Sequence, residues 1–535
     1  MKLNKRQKVL LQIEVAAIFV VIVGLLTFKS CNKSNFNSAN FDEKEQNINI
    51  LMQTAKTPRI QSVSLTENDR VILDQHLSKY TAFTMDKKEL ASYFQGGTGS
   101  VRLQIDKNLD WTIYLELNDM RTFDYKAYYT TAEGDVEVNE PFVVNTYKGK
   151  TSDGQHVRAT VDENTFVGVI FGENYHYVIR STNEYTQNRA DNSFIVYKSW
   201  DIIPDDNFSD NINDALEVPK NDNGELIENS VVNIINNNGT VTRASNAYTE
   251  SLVIATEADF TFHQKVGGTT GSAVAPTNSF IMSVLNIVEG AYGSTFLIRF
   301  FVSDQFVDNY NNLPYNSNDA YTLLNSFGYY WNSNSNRTSV RRNIAHLFTG
   351  RTLNSNYIGY GFVGAINGNT SNNYAYALST YYIGKTNIAY VATHEIGHNL
   401  NADHEPNRAP LPANCNCNNN STASIMCPVI TSAPSLWFCP QSYNEINNYL
   451  TANSSLLTYI NGPTVVSKGS TNTWDLPSIP GATYSWLSVY MTPSGSTTGN
   501  KVTFTATNNQ SSDIVECFVT YNGISNYFHK YITVY

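Results

Sequence analysis

The sequence predicts a multidomain protein with a β-rich N-terminal domain, a central α/β domain and a C-terminal β-sandwich. The chain has 535 residues, several times the size of a typical single domain. Apolar residues make up 41% of it and aromatic residues 12%, which is too much apolar surface for a disordered chain. The hydrophobic periodicity also changes along the chain, which indicates more than one kind of folded domain.

Residues 1–31 are predicted to be an export signal. A basic start is followed by an uncharged stretch of 14 residues at 15–28, which suits a signal peptide and is short for a membrane span. Ser30-Cys31 then resembles a bacterial lipoprotein signal, in which Cys31 would be lipidated and would hold the protein at the outer membrane or cell surface. Lys29 departs from that pattern, so ordinary cleavage with secretion, an uncleaved anchor and a buried N-terminal helix remain alternatives.

The domain boundaries follow from composition and periodicity. Residues 32–60 are polar and linker-like, and residues 61–217 alternate apolar and polar positions between turns, which predicts the β-rich domain. Residues 218–246 lose that alternation and are rich in Pro, Asn, Asp and Gly, as in a second linker. The α/β domain is placed at 247–460 and the sandwich of short strands at 461–535.

The α/β prediction depends on four segments within 247–460. Residues 252–255 and 296–302 have the composition of strands, whereas residues 279–292 and 339–348 have the apolar spacing of helices. Strands that alternate with helices indicate a sheet covered by helices.

The charge balance excludes one class of partner. With 36 Lys and Arg against 47 Asp and Glu, the net charge is −11, which argues against nucleic-acid binding. We expect a monomer whose contact with a membrane is made only through an N-terminal lipid.

Four clustered cysteines predict two disulfides. Cys415, Cys417, Cys427 and Cys439 lie within 25 residues of an exported chain, and three pairings are open to them. A zinc site made of the four thiolates is the alternative, although the Cys-x-Cys spacing and an oxidising compartment disfavour it.

The segment from His394 to His404 carries the chemistry. A helix with Thr386 as its predicted N-cap would place His394 and His398 one turn apart on one face, where both can hold one metal ion. Glu395 would then reach a water molecule at the metal and act as general base. A third ligand, His404, requires the chain to turn back, and Asn401 tolerates the left-handed conformation that such a turn needs.

These residues resemble the metzincin zinc signature HExxHxxGxxH, with Asn401 in place of its glycine. Met426, in Ser424-Ile425-Met426-Cys427-Pro428, resembles the methionine turn of that superfamily. The closest resemblance is to the adamalysin/reprolysin family. It implies a mixed sheet with an active-site helix, and zinc held by three histidines, with Glu395 as the base. The alternative is that Met426 only packs in the hydrophobic core.

The resemblance also implies further site residues. Residues 345–351 resemble the segment that leads to the substrate-binding edge strand, and that strand is Gly359, Tyr360, Gly361, Phe362, Val363 and Gly364. The implied disulfides are Cys415 with Cys439 and Cys417 with Cys427. Glu405 replaces the family's Asp after the last ligand. Because Asn343 stands where the family has an acidic ligand, calcium is left open.

Residues 61–217 resemble reprolysin propeptides at Thr146 to Lys150 and at Thr165 to Ile170. This implies a zymogen, matured by another protease that we expect to cut near Arg243-Ala244. Since no cysteine occurs between Cys31 and Cys415, the family's cysteine switch is not available. Asp222 is a candidate latency ligand, because a carboxylate can bind zinc. The simpler interpretation is an Asp in a linker turn.

The sequence therefore predicts a secreted or surface-anchored zinc metalloendopeptidase that acts on protein or peptide substrates. Its specificity pockets are expected near residues 429–438. The alternative is a surface adhesin built on a catalytically silent scaffold of the same type, although none of the expected site residues is lost.

In the C-terminal domain, Trp486 and Cys517 are predicted to point inward in an immunoglobulin-like or PKD-like sandwich, with Cys517 as a buried thiol. That domain could bind a partner or act as a spacer.

Overall fold

The computed structural model divides the chain into two compact units, residues 1–55 and residues 56–535. In the first unit, residues 48–53 are helical. The larger unit contains the elements below. The structure describes residues 48–139, 142–172, 175–186, 192–203, 214–217, 250–366, 373–381, 384–405, 415–417, 423–428, 435–453, 457, 460, 462–463, 465–476, 481–507, 512–521 and 524–535.

The described helices of the larger unit are numbered in chain order. They are α1 (Glu67–Asp74), α2 (Lys87–Ser92), α3 (Asn183–Thr186), α4 (Phe260–Lys265), α5 (Ala275–Phe296), α6 (Ala320–Ser333), α7 (Ser335–Thr338), α8 (Gly384–Asn399) and α9 (Pro440–Ala452). Single 3₁₀ turns occur at Ser199–Asp201 and Asn354–Asn356.

The described strands form four sheets. They are β1 (Ile60–Ser62), β2 (Thr81–Met85), β3 (Thr98–Gln104), β4 (Asp110–Leu117), β5 (Arg121–Thr131), β6 (Gly134–Glu137), β7 (Thr146–Thr151), β8 (His156–Val161), β9 (Phe166–Phe171), β10 (His176–Ser181), β11 (Ser193–Lys198), β12 (Ala215–Leu216), β13 (Glu250–Ala258), β14 (Ile298–Val307), β15 (Ile344–Thr349), β16 (Gly359–Phe362), β17 (Tyr376–Thr380), β18 (Val465–Val466), β19 (Thr471–Asp475), β20 (Thr483–Ser488), β21 (Thr492–Pro493), β22 (Lys501–Thr505), β23 (Ser512–Tyr521) and β24 (Ile524–Val534).

The N-terminal region is built on a nine-stranded antiparallel sheet. Its order is β1-β2-β11-β10-β9-β8-β7-β4-β3. Consecutive strands from β7 to β11 pair with their neighbours along the chain, as antiparallel hairpins do. Phe83, Val157 and Phe194 belong to the apolar core on one face of this sheet. The predicted β-rich region is therefore present.

The central sheet has eight strands, and both of its edges come from the N-terminal region. Its order is β12-β16-β17-β15-β13-β14-β5-β6. Strand β12 pairs in parallel with β16 at one edge, and β5 pairs in parallel with β14 near the other. The hairpin of β5 and β6 thus leaves its sequence neighbours and extends the sheet of the α/β domain.

Helices cover both faces of the central sheet, as expected for an α/β domain. Helix α5 is apolar on nearly all sides and packs against α8 and β14, which accounts for its burial in the middle of the molecule. Helix α6 packs on β16 and β17, where Phe327 and Trp331 enter a second apolar cluster. The apolar cluster around helix α5 includes Val167 and Val169 of the N-terminal region. The N-terminal region and the central domain therefore share a core.

Buried polar contacts also join the N-terminal region to α5. Arg158 of β8 pairs with Glu289 of α5 at 2.6 Å, and their side chains are 3% and 1% exposed. Burial alone would raise the pKa of Glu289, but the Arg158 guanidinium, together with Lys148 and Arg299, outweighs this effect and the pKa is lowered. Gly290 permits this approach, because a Cβ there would lie 2.7 Å from Arg158 Cγ.

The C-terminal region consists of two small sheets, with orders β18-β24-β23-β20 and β19-β22-β21. Trp486 and Cys517 are register partners, are buried and enter the core between the sheets, as predicted. Cys517 is a free thiol. The rings of Phe528 and of Phe301 in β14 are in contact, with centroids 5.0 Å apart, so this region packs on the central sheet.

Three local predictions differ from the structure. Residues 339–348 were expected to be helical, but Ile344–Thr349 forms β15, because a short, fully buried apolar run fits a central strand as well as a helix. Helix α8 begins at Gly384, so Thr386 lies inside it and is not its N-cap. Phe296 ends α5, and the following strand begins only at Ile298.

Among the described residues, no helix is long and apolar enough to cross a membrane.

Breaking the Arg158–Glu289 pair is expected to destabilise the protein. Arg158→Met leaves the Glu289 carboxylate buried beside an apolar side chain, which should lower the free energy of unfolding by about 3–5 kcal/mol. The double variant Arg158→Met/Glu289→Met removes both charges and should recover most of this loss. Urea unfolding of the three proteins tests the expectation, and a single variant as stable as the wild type would contradict it.

Candidate metal centre

Helix α8 brings the first two predicted ligands together. His394 and His398 lie one turn apart, and their Nε2 atoms are 3.0 Å from each other. His404 Nε2 lies 3.1 Å from each of them. All three side chains are buried. The three imidazoles therefore converge on one point, as the spacing of the signature predicted.

The tautomers of two rings are set by backbone carbonyls. Nδ1 of His394 lies 2.6 Å from the carbonyl oxygen of Ile425, and Nδ1 of His398 lies 2.8 Å from that of Ala402. A carbonyl only accepts hydrogen bonds, so each Nδ1 carries a proton and each neutral ring has its lone pair on Nε2. Burial, together with the neighbouring His398, lowers the pKa of His394 to about 3.

This arrangement suits a metal ion. The Nε2 lone pairs of His394 and His398 face each other across 3.0 Å and repel unless a cation lies between them. Outer carbonyl partners of this kind are usual for histidines that bind a metal. The histidines and Asp214 form a buried group with ligand atoms within 4.8 Å of one another, which could hold a metal ion.

The turn to His404 is made at Asn401. Helix α8 ends at Asn399, and Asn401 has a φ of +71°, in the left-handed region. Its N–H donates to the carbonyl of His398 at 2.8 Å, which closes the end of the helix. The predicted left-handed conformation of Asn401 is confirmed, and it returns His404 to the other two histidines.

The methionine turn lies beneath the histidines. Met426 is fully buried, and the N–H of Glu405 donates to its carbonyl at 3.1 Å. A Cβ on Gly397 would lie 2.5 Å from Met426 Sδ, so the helix must have a glycine where it crosses this side chain. Glu405 is buried and accepts hydrogen bonds from Ser424 and Ser442. This carboxylate joins the turn to helix α9.

Two disulfides hold the same region. Cys415 pairs with Cys439 and Cys417 pairs with Cys427, which are the pairs that the resemblance implied. The second bridge closes a loop next to Met426, and the first joins that loop to the start of α9.

Glu395 lies against the predicted substrate strand. Gly359 and Gly361 of β16 face α8, and a Cβ on Gly359 would lie 2.0 Å from Glu395 Oε1. A Cβ on Gly361 would come within 3.1 Å of Oε2 of the same carboxylate. Asn399 Nδ2 donates to the carbonyl of Phe362 at 2.8 Å and fixes the helix to the strand. The two glycines therefore leave the space that the carboxylate occupies.

The N-terminal region contributes a fourth polar group, Asp214, to the histidine cluster. Its carboxylate lies 2.7 Å from His404 Nε2 and 3.6 Å from Nε2 of both other histidines. The adjoining strand β12 occupies the edge of β16: the N–H of Gly361 donates to the Asp214 carbonyl at 3.0 Å, and the N–H of Val363 donates to the Leu216 carbonyl at 2.8 Å. This segment therefore covers both the histidines and the strand edge.

Sequence reasoning missed Asp214. Its only local signal is an acidic residue directly before an apolar pair at the end of the β-rich region, which is common in proteins. Asp222, Cys31 and the expected cut near Arg243 lie outside the described residues. Of the region expected to form specificity pockets, 429–434 lies outside them as well.

The model of one known protein family matches the central part of the chain. Residues 227–438, which include all the histidines above, match the sequence model of metallo-peptidase family M12. This part of the chain is therefore similar to the M12 metallopeptidases. The recognition of a metzincin-like metalloprotease is confirmed, and the β-rich N-terminal region packs on the matched domain.

Two solved structures are similar to the chain, both at low sequence identity and low TM-score. The crystal structure of metalloproteinase-II from Bacteroides fragilis is 14% identical with a TM-score of 0.36, and the alignment covers 66% of this chain and 91% of that one. A chaperone–substrate complex is 11% identical with a TM-score of 0.27, over 39% of this chain and 34% of that one.

Replacing Gly359 should disable the site without removing its ligands. In Gly359→Ala the added methyl group displaces the Glu395 carboxylate, and a shift of about 1 Å in a reacting group can lower turnover about 100-fold. Bound metal, measured by elemental analysis, should be unchanged. The control is Gly499→Ala, where the nearest atom to the added Cβ is 3.8 Å away. Equal peptidase activity of the matured variants would contradict the placement of Glu395.

Proposed function

We propose that the protein is an exported zinc metalloendopeptidase of the reprolysin type, made as a zymogen. The observation that carries this proposal is the convergence of three buried histidine Nε2 atoms beside Glu395 and the edge strand β16. His394, His398 and His404 would hold the zinc. Zinc, when bound, supplies a Lewis acid for the scissile carbonyl and lowers the pKa of water toward neutrality.

The protein's own residues orient the substrate and move the proton. An extended peptide would pair with the backbone of β16 and of Val363 after it, where the N–H groups of Gly361 and Val363 donate to Asp214 and Leu216 in this structure. Glu395 would take a proton from the attacking water and deliver it to the leaving amine. Because the carboxylate packs directly against β16, a peptide on that strand would place its reacting carbonyl beside it.

The same contacts support latency of the uncut chain. Asp214 lies where a ligand of the metal would bind, and β12 occupies the strand edge that a substrate needs. Carboxylate oxygen is a common zinc ligand, so Asp214 can take the role that a cysteine has in related propeptides. The contacts favour Asp214 over Asp222 for this role. Maturation would require an activating protease to cut in the linker after residue 217.

Export is supported by the two disulfides, which form and persist in oxidising compartments. Anchoring through a lipid on Cys31 remains a prediction from the signal sequence. The two packed sheets of the C-terminal region are consistent with an immunoglobulin-like or PKD-like module, which we assign to the mature, monomeric enzyme as a spacer or docking module.

Replacing the Glu395 base should lower turnover without loss of bound zinc. Glu395→Gln leaves the three histidines untouched, so the matured variant should retain its zinc, whereas loss of general-base catalysis should lower turnover by about 10²–10⁴-fold. Hydrolysis of unfolded casein with and without a chelator, together with zinc content, measures both properties. A variant that cleaves at the wild-type rate would exclude the assigned role. A wild-type protein that binds zinc without any cleavage would favour a silent scaffold.

Removing the Asp214 carboxylate should weaken latency. Truncating one partner of a buried charge contact costs about 2–5 kcal/mol, so uncut Asp214→Ala should cleave a short peptide measurably while the uncut wild type stays nearly inactive. Asp222→Ala is the matched control and should remain latent. Activation by the control and not by Asp214→Ala would assign the switch to Asp222 instead.

A further inference from the structure

Besides the Asp214 segment and the contacts with α5, the N-terminal region contacts the metallopeptidase domain at a place far from the histidines. The hairpin of β5 and β6, Arg121–Glu137, adds to the sheet beside β14. Strands β17, β15 and β13 lie between β14 and the substrate strand β16. At about 4.8 Å per strand the two edges are about 19 Å apart. The hairpin therefore contacts neither the metal site nor the substrate strand.

Backbone pairing and two tyrosines fix the register of the hairpin. Strand β5 pairs in parallel with β14 from Asp304↔Lys126 to Val307↔Tyr129. Tyr128 stacks on Phe306 with ring centroids 4.6 Å apart and planes at 6°. The Tyr125 hydroxyl donates to Gln305 Oε1 at 2.8 Å. These contacts give the edge of β14 a specific fit to this hairpin.

A buried ion pair anchors the tip of the hairpin. The Asp135 carboxylate of β6 accepts from Arg337 Nη1, and their side chains are 2% and 0% exposed. Asn336 Nδ2 also donates to it at 3.2 Å, and the Thr130 hydroxyl holds its other oxygen at 2.8 Å. Burial by itself would raise the pKa of Asp135, but Arg337 outweighs this effect and lowers it.

The receiving surface keeps its own charge balance without the hairpin. Arg337 donates to both oxygens of Glu257 at 3.1 Å and lies 3.6 Å from the centroid of Phe306. Glu257 belongs to β13 of the same domain. If Asp135 leaves, the Arg337 guanidinium still has the Glu257 carboxylate as a partner, so its charge stays paired when the hairpin is absent.

We propose that the edge of β14, with Phe306 and Arg337, is a docking surface for the hairpin Arg121–Glu137 that acts independently of the metal centre. This inference rests on the proposed zymogen function. A cut in the linker at 218–246 breaks the chain but none of these contacts. The cleaved N-terminal domain therefore stays bound as a noncovalent partner, and its release is a separate step from cleavage.

The test uses the full-length protein with the recognition sequence of a sequence-specific protease placed at residues 236–243. After complete cutting, size-exclusion chromatography at low micromolar concentration should show both fragments in one peak. The cut Asp214→Ala protein should also elute as one peak while it hydrolyses peptides, because the hairpin and the contacts with α5 remain without the carboxylate at the metal site. Separation of either protein on cutting would overturn the proposal.

Variants of the hairpin locate the binding energy. Asp135→Asn and, separately, Tyr128→Ala should accelerate fragment dissociation at least about tenfold after dilution. Glu137→Gln is the matched control, since this exposed acidic residue pairs with Lys126 of the same hairpin at 2.9 Å. If Asp135→Asn fails to fold, Tyr128→Ala still decides. Dissociation of both variants at the control rate would reject the surface. Fragment association is read without activity, so a protein that never cleaves a peptide would refute the proposed function and leave this test intact.

Discussion

A β-sheet leaves backbone N–H and C=O groups unpaired at its two edges, and the structure of this protein is organised around how those edges are covered. The metallopeptidase sheet ends in β16 on one side and β14 on the other, and elements of the N-terminal region pair with both. Pairing at β16 carries Asp214 to the histidines, and pairing at β14 carries the hairpin to Arg337. One physical requirement, the pairing of edge strands, thereby couples the N-terminal region to the chemistry of the site.

The site itself depends on small residues at points of close approach. Gly359 and Gly361 leave room for the Glu395 carboxylate, and Gly397 leaves room for Met426 below the histidines. Asn401 adopts the backbone conformation that ends helix α8 early enough for His404 to return. Around these points the helix is tied to β16 by Asn399 and to the methionine turn by the contact of His394 with Ile425. The rings of His394 and His398 are thus held by two different backbone carbonyls, those of Ile425 and Ala402.

The interface between the N-terminal region and the metallopeptidase domain contains buried ion pairs. Arg158 with Glu289 and Asp135 with Arg337 are dry ion pairs that cross it. Such pairs are costly to break one partner at a time, but water solvates both partners once the surfaces separate. An interface of this kind is specific while it is closed, and its charged residues can be hydrated after it opens, as the proposed zymogen would require.

The sequence by itself determined the features that depend on local spacing. His394, Glu395 and His398 lie on one helix because of their intervals, Asn401 sets the turn, and the clustered cysteines form two bridges. Helix α5 and the strands of the N-terminal and C-terminal regions also follow from apolar periodicity. These predictions succeed because the interactions join residues close in the chain.

Only the tertiary structure decided the rest. Asp214 is an ordinary acidic residue until β12 pairs with a strand about 145 positions later in the chain. The run at 344–349 is a strand because it is surrounded by other strands, and its apolar residues alone do not distinguish it from a helix. Likewise, the hairpin at β5 and β6 reads as part of the β-rich region but pairs with β14. In each case the deciding contacts join segments distant in sequence, and no local pattern encodes their pairing.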